Sequence, residues 1–214
     1  MQKIDDIARL ITLENGKAGA DALGEAKYAG EFFRWYAEEA VRPEGHLGIA
    51  PASGARILVH QKPAGIAVLV TPWNYPAAMG TRKIAPALAA GCSVVIKPAS
   101  ETPLTMLALV PILEEAGVPS GVVNVLPSRS SGAVVGAMLA DPRVRVVSFT
   151  GSTEVGRKLL HAAADNVVKP AMELGGNAPF IVCKDADIDA AAEGLMVAKM
   201  RNLGEACTAA NRIY

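Results

Sequence analysis

Ile66-Ala67-Val68-Leu69-Val70 runs directly into Thr71-Pro72-Trp73-Asn74. Five successive apolar residues have the character of a strand buried on both faces, because a half-exposed strand alternates apolar and polar positions. A helix-length segment follows, Ala77–Ala90, with Gly91 as its C-terminal stop. The alternation then repeats. Ser93–Ile96 reads as a strand, and Pro103–Ala116 as a helix with Thr102 as N-cap, Pro103 at its first position and Gly117 past its end. Val122–Val125, Gly132–Leu139, Val144–Phe149 and Glu154–Ala164 continue the pattern of strand and helix. Ala171–Leu174 and Phe180–Val182 are short extended pieces, and Ile188–Met200 is a helix. Strands and helices that alternate with short connections predict an α/β fold. It is a Rossmann-like open parallel sheet with helices on both faces.

Upstream, residues 3–14 and 18–42 read as helices. In the second, Ala22, Leu23, Ala26, Ala29, Phe33 and Tyr36 recur at 3- and 4-residue steps and predict the buried face. Glu25, Lys27, Glu31, Glu38 and Glu39 fall between them and predict the polar face. Pro43-Glu44-Gly45 ends this helix. Arg56–Lys62 is extended, and Pro63-Ala64-Gly65 turns the chain into the first buried strand. Residues 1–65 thus form an N-terminal region of helices and an extended segment.

Composition narrows the function. The 214 residues carry 21 Lys+Arg and 21 Asp+Glu, a formal net charge of 0. That balance argues against nucleic acid as a partner, since such binding rests on an excess of cations over phosphates. Three cysteines, Cys92, Cys183 and Cys207, are not a disulfide framework and point to a reducing, cytoplasmic setting. His46, His60 and His161 are scattered, so no metal site is expected. The N-terminus, Met1-Gln2-Lys3-Ile4-Asp5-Asp6, places acids where a leader peptide needs an apolar run. The longest nearly apolar stretch, Ile84 to Ile96, is 13 residues and too short to span a bilayer, so no membrane role is expected.

In open parallel sheets, ligands bind beyond the carboxyl ends of the strands. Gly151-Ser152-Thr153-Glu154 leaves a strand and opens a helix, where free N–H groups attract phosphate. An ordinary capping box explains the same residues equally well. The usual G-x-G-x-x-G fingerprint is absent. Lys97, fixed by Pro98, presents an ammonium suited to ribose hydroxyls or a phosphate. Cys207 lies among small and polar residues, Glu173 leaves a short strand, and Asn74 carries an amide able to donate to an oxyanion. Taken singly, these three read more simply as an inert small residue, a surface carboxylate and a turn asparagine.

Together these segments resemble the aldehyde dehydrogenase superfamily, from about Gly30 to Tyr214. The resemblance rests on Thr71-Pro72-Trp73-Asn74-Tyr75-Pro76, Lys97-Pro98-Ala99-Ser100, Phe149-Thr150-Gly151-Ser152-Thr153-Glu154-Val155-Gly156, Glu173-Leu174-Gly175-Gly176-Asn177 and Cys207. Their order, with Cys207 lying 34 residues after Glu173, makes the match specific. Within the superfamily the chain is most similar to succinate-semialdehyde dehydrogenases.

The resemblance implies a mechanism. Cys207 is the nucleophile toward the aldehyde carbon, Glu173 the base for the deacylating water, and Asn74 with the Cys207 N–H the oxyanion hole. Trp73, Asn74, Lys97, Ser100, Gly151, Ser152 and Leu174 match cofactor-contact positions, so the cofactor is NADP or NAD. Ser100 stands where NAD-preferring relatives often have a carboxylate, which implies good use of NADP. Arg82 and Arg201 match positions that bind the distal carboxylate of the substrate. Residues 66–190 are then the dinucleotide-binding domain, and 191–214 start the catalytic domain carrying the nucleophile. Relatives are more than twice as long, which implies that the chain is a fragment. The full-length protein is expected to be a homodimer or homotetramer.

The chain departs from the family's pattern at Gly204-Glu205-Ala206, where many relatives have Gly-Gln, and at Pro127-Ser128-Arg129, which replaces a Gly-rich turn. Ala209 excludes a disulfide switch two residues after the nucleophile. Three readings stay open: oxidation of succinic semialdehyde, oxidation of glutarate semialdehyde or an uncharged aldehyde, and an inactive nucleotide-binding fragment.

Overall fold

The computed structural model describes residues 3–214; Met1 and Gln2, which begin the stretch read above against a leader peptide, lie outside the described residues. Two helices lead the chain, α1 (Ile4–Asn15) and α2 (Gly19–Glu39). A hairpin of β1 (His46–Ile49) and β2 (Arg56–Val59) follows, paired antiparallel. Then come β3 (Ile66–Val70), α3 (Ala78–Ala89), β4 (Ser93–Lys97), α4 (Leu104–Glu115), β5 (Val123–Val125), α5 (Ser131–Ala140), β6 (Val144–Gly151), α6 (Thr153–Ala164) and β7 (Lys169–Leu174). The chain continues through β8 (Ala178–Phe180), α7 (Ile188–Met200) and β9 (Ala210–Ile213).

Five strands form one parallel sheet in the order β5-β4-β3-β6-β7. The chain builds outward from β3 in one direction, then returns to its other side. The order therefore reverses between β3 and β6, the place where such sheets open a crevice for ligands. The apolar run of β3 is explained by this central position. Val68 and Val70 pack with Val135, Leu139, Val147 and Phe149 on the α5–α6 face. Ala67 and Leu69 pack with Ile84, Val94, Ile96 and Met106 on the α3–α4 face. A third cluster joins Ile7, Ile11, Ala22, Ala26 and Ala29 to Ala77, Ala78 and Met79, fixing α1 and α2 on the start of α3.

Several local expectations are corrected. Thr102 does not cap α4, and Pro103 occupies the N-cap position without a side-chain bond. Glu14 of α1 does the work: its carboxylate accepts from the N–H groups of Leu104 (2.7 Å) and Thr105 (2.9 Å). Glu25 does not lie on a polar face but is buried, for reasons given below. Of the cysteines other than Cys207, Cys183 is exposed and Cys92 is buried. The extended piece expected at 180–182 begins earlier, at Ala178, and pairs in parallel with β9, a strand too short to announce itself. No helix among the described residues is long and apolar enough to cross a membrane.

Candidate active site

Three connections converge on the crevice between β3 and β6. Beyond β3, the turn Thr71–Pro76 carries Trp73 and Asn74. Beyond β6, Ser152 caps α6, its hydroxyl accepting from the Val155 N–H at 3.3 Å. Beyond β7, Glu173 and Leu174 end the sheet. The segment bearing Cys207 comes from farther along. After α7 the backbone takes three left-handed residues, Asn202 (φ 55°), Leu203 (φ 56°) and Gly204 (φ 82°). Non-glycine residues there cost on the order of 1–3 kcal/mol each, so the surroundings must hold them. Asn202 is buried, and its amide donates to the Asn74 carbonyl at 3.1 Å. On the far side of Cys207, β9 pairs with β8, the strand that follows Glu173 closely in sequence. The nucleophile candidate is thereby tied at both ends to the segments that carry Asn74 and Glu173.

Asn74, Glu173 and Cys207 line one cavity of about 220 Å³, with Trp73, Gly151 and Leu174 in its wall. Asn74 Nδ2 donates to the Glu205 carbonyl at 2.6 Å, which aims the amide at the Cys207 loop. The Glu205 side chain itself is exposed. Asn74 Oδ1 and Thr150 Oγ1 are buried without a hydrogen-bond partner among the described residues. An orphaned hydroxyl at the end of β6 leaves a polar atom for a ligand in the crevice to satisfy.

Cys207 also borders a second cavity, of about 580 Å³, lined by Arg82 and Arg201 together with Tyr28 and Tyr75. Arg201 Nη2 donates to Thr208 Oγ1 at 3.1 Å, and the Arg82 guanidinium lies 5.5 Å from the Phe32 ring centre. Neither arginine pairs with a carboxylate among the described residues. Burial pushes the Tyr75 hydroxyl's pKa up, and the Arg201 guanidinium pulls against that rise. The thiol thus stands between a compartment at the sheet's switch point and one lined by two unpaired guanidiniums.

The remaining candidates stand apart. Lys97 ends β4 and is buried, which lowers its pKa, with the Glu101 carboxylate opposing that shift. Ser100 is exposed, and its hydroxyl donates to Glu101 at 3.2 Å. Neither residue lines the two cavities around Cys207.

One site residue escaped the sequence reading. Lys83 of α3 is buried, and its ammonium donates to Ser148 Oγ of β6 at 2.8 Å. Burial pushes its pKa down to about 8, Arg82 pushes the same way, and the Glu173 carboxylate opposes both. Lys83 and Glu173 line a common cavity of about 570 Å³. A lysine one residue before buried Ile84, on the stripe facing the sheet, was the available signal. Among the described residues no cluster of His, Cys, Asp and Glu could hold a metal ion.

Fold and site together describe a doubly wound nucleotide-binding architecture with a thiol, a carboxylate and an amide in one cavity at its switch point. A model of the aldehyde dehydrogenase family matches residues 1–214, and the chain belongs to that family. It is 55% identical over 208 residues to a succinate-semialdehyde dehydrogenase of Paenarthrobacter nicotinovorans, covering 97% of this chain and 46% of the relative. It is 50% identical to a glutarate-semialdehyde dehydrogenase of Pseudomonas aeruginosa, covering 98% and 43%. The crystal structure of an Escherichia coli NADP-dependent enzyme superposes with a TM-score of 0.96 at 51% identity, covering 100% of this chain and 44% of that one. The chain therefore spans less than half the length of these relatives.

Proposed function

We propose that this protein oxidises succinic semialdehyde to succinate with NADP+ or NAD+, using Cys207 as the covalent nucleophile. The observation that carries this reading is the shared cavity of Asn74, Glu173 and Cys207 at the sheet's switch point. Cys207 Sγ gives up its proton to solvent and forms a bond to the aldehyde carbon. The carbonyl oxygen becomes an oxyanion, received by the Asn74 amide and the Cys207 N–H. A nicotinamide dinucleotide, when bound, supplies the hydride acceptor that converts this adduct to a thioester. Glu173 then takes a proton from water as the water oxygen attacks the thioester carbon, and the C–S bond breaks to release the acid.

The crevice suits the dinucleotide. The orphaned Thr150 hydroxyl, the start of α6 at Ser152, and Trp73, Gly151 and Leu174 in the cavity wall offer polar and apolar surface at the strand ends. Lys97 and Ser100 are assigned to the adenosine half. Residues 66–190 act as the dinucleotide-binding unit, and 191–214 deliver the nucleophile. The structure of the NADP-dependent relative supports NADP as a cofactor. The specificity constant with NADP is expected to equal or exceed that with NAD. Ser100→Glu should lower the NADP value about tenfold or more, because a like charge beside the 2′-phosphate costs over ~1.4 kcal/mol. Initial rates with both cofactors test this, and a clear preference of the wild type for NAD would refute it.

The unpaired Arg82 and Arg201 favour a substrate with a distal carboxylate. Arg201→Ala removes a charge-assisted bond of about 1.5–3 kcal/mol and should raise KM for succinic semialdehyde roughly 10- to 150-fold. KM for an uncharged aldehyde of similar length should hardly move. Equal losses on the two substrates would refute the assignment. Glutarate semialdehyde is a second reading, favoured by the Pseudomonas relative. One methylene separates the two substrates, a difference of about 1–3 kcal/mol, so a direct comparison of kcat/KM decides between them. We further propose that the protein works as a homodimer or homotetramer in the cytoplasm, which sedimentation and fractionation would test.

A further inference from the structure

We infer that Lys17, held by Glu25, is a positioning residue for the oxyanion side of the site, acting through the Asn74 main chain; this rests on the aldehyde-oxidising reading above. Both side chains are fully enclosed, with relative exposures of 1% and 0%. An ammonium has three donors, and here each has an assigned direction. One goes to Glu25 Oε2, one to the Asn74 carbonyl at 2.9 Å, and the third faces the Tyr75 ring, whose centre is 4.0 Å away. The other Glu25 oxygen accepts from the N–H groups of Ala77 (2.8 Å) and Ala78 (3.1 Å), at the start of α3. A carboxylate at a helix N-terminus is favourably placed. The pair therefore grips the turn at Asn74 and the helix that begins four residues later.

The neighbouring contacts serve the same turn. Asn15 Nδ2 donates to the Trp73 carbonyl at 3.1 Å, and Asn202 Nδ2 donates to the Asn74 carbonyl beside Lys17. Two successive carbonyls of the Trp73-Asn74 turn are thus held by side chains from the end of α1 (Asn15) and from the α1–α2 connector (Lys17). The left-handed Gly16 (φ 81°) lets that connector reverse direction. Asn202 carries the hold onward to the segment bearing Cys207. A buried ion pair by itself is weak evidence for stability, because an apolar pair of similar volume often does as well. What an apolar pair cannot supply is the directed bond from Nζ to the Asn74 carbonyl.

The test compares Lys17→Met, Glu25→Gln and the double variant in the intact protein. Each single change leaves a buried group without its partner and should lower Tm. In the double variant both charges are gone, and glutamine still offers an oxygen to Ala77 and Ala78. Its Tm should return close to the wild-type value. Its kcat should nevertheless stay roughly 10- to 100-fold low, as expected for a reacting group displaced by up to ~1 Å. The Kd for NADPH should be unchanged, and amide hydrogen exchange should speed up selectively in residues 72–79. Recovery of kcat together with Tm would overturn the inference, as would unchanged exchange in that segment. A wild type that oxidises no aldehyde refutes the proposed function instead, and the exchange comparison then decides the positioning by itself.

Discussion

Cys207→Ala is expected to lower kcat for aldehyde oxidation by about 10⁴- to 10⁶-fold, the range seen when a member of a covalent catalytic unit is removed. That corresponds to about 5–8 kcal/mol of transition-state stabilisation. The physical reason is that no second nucleophile can substitute. Cys92 and Cys183 do not line the cavity that holds Asn74 and Glu173. The variant should bind NADPH as the wild type does, since the sheet's switch point is built by β3, β6 and β7, upstream of residue 207. Tm should also be preserved, because the Cys207 side chain is exposed and its loss leaves no core cavity. The assay is NADPH formation from succinic semialdehyde alongside a fluorescence titration with NADPH. A variant that keeps its activity would remove covalent catalysis at Cys207 from the account.

Glu173→Gln is expected to separate the two halves of the reaction. Glutamine matches the shape of the carboxylate but takes no proton from water. Thioester hydrolysis should slow by about 10²- to 10⁴-fold, the usual worth of a general base. The first turnover depends less on it. A rapid-mixing experiment should therefore show a burst of about one NADPH per site, followed by a slow steady state. Glu173 is exposed and lines both the 220 Å³ cavity and the one that holds Lys83, so water has access to it. A variant with an unchanged steady state, or one whose burst is lost along with it, would reassign the base.

Much of this architecture is legible in the residues. The run from Ile66 to Val70 has no polar position because both faces of the central strand are covered, and a five-residue window suffices to see that. Ser152 is a readable cap because its partner, the Val155 N–H, lies three residues away. Gly91 and Gly117 are readable stops because each takes a positive φ just past its helix. Such features depend on near neighbours in sequence. The same holds for the order of strands and helices, and so for the strand ends at which Asn74, Gly151 and Glu173 lie.

Features that depend on partners distant in sequence emerge from packing alone. Thr102 looked like the cap of α4, but Glu14 reaches its N-terminus from about ninety residues away and offers two oxygens. Glu25 fell at a polar position of α2, yet it is buried because Lys17 and the first N–H groups of α3 supply the partners that a buried carboxylate requires. Lys83 gave no sign of its lowered pKa, since that depends on enclosure against β6 and on the charges of Arg82 and Glu173. Local patterns suffice for the fold class and for which residues stand at the strand ends. Their meeting around Cys207, between a switch-point crevice and a pair of unpaired arginines, is a matter of packing, because local periodicity and spacing carry no information on which distant segments share a cavity.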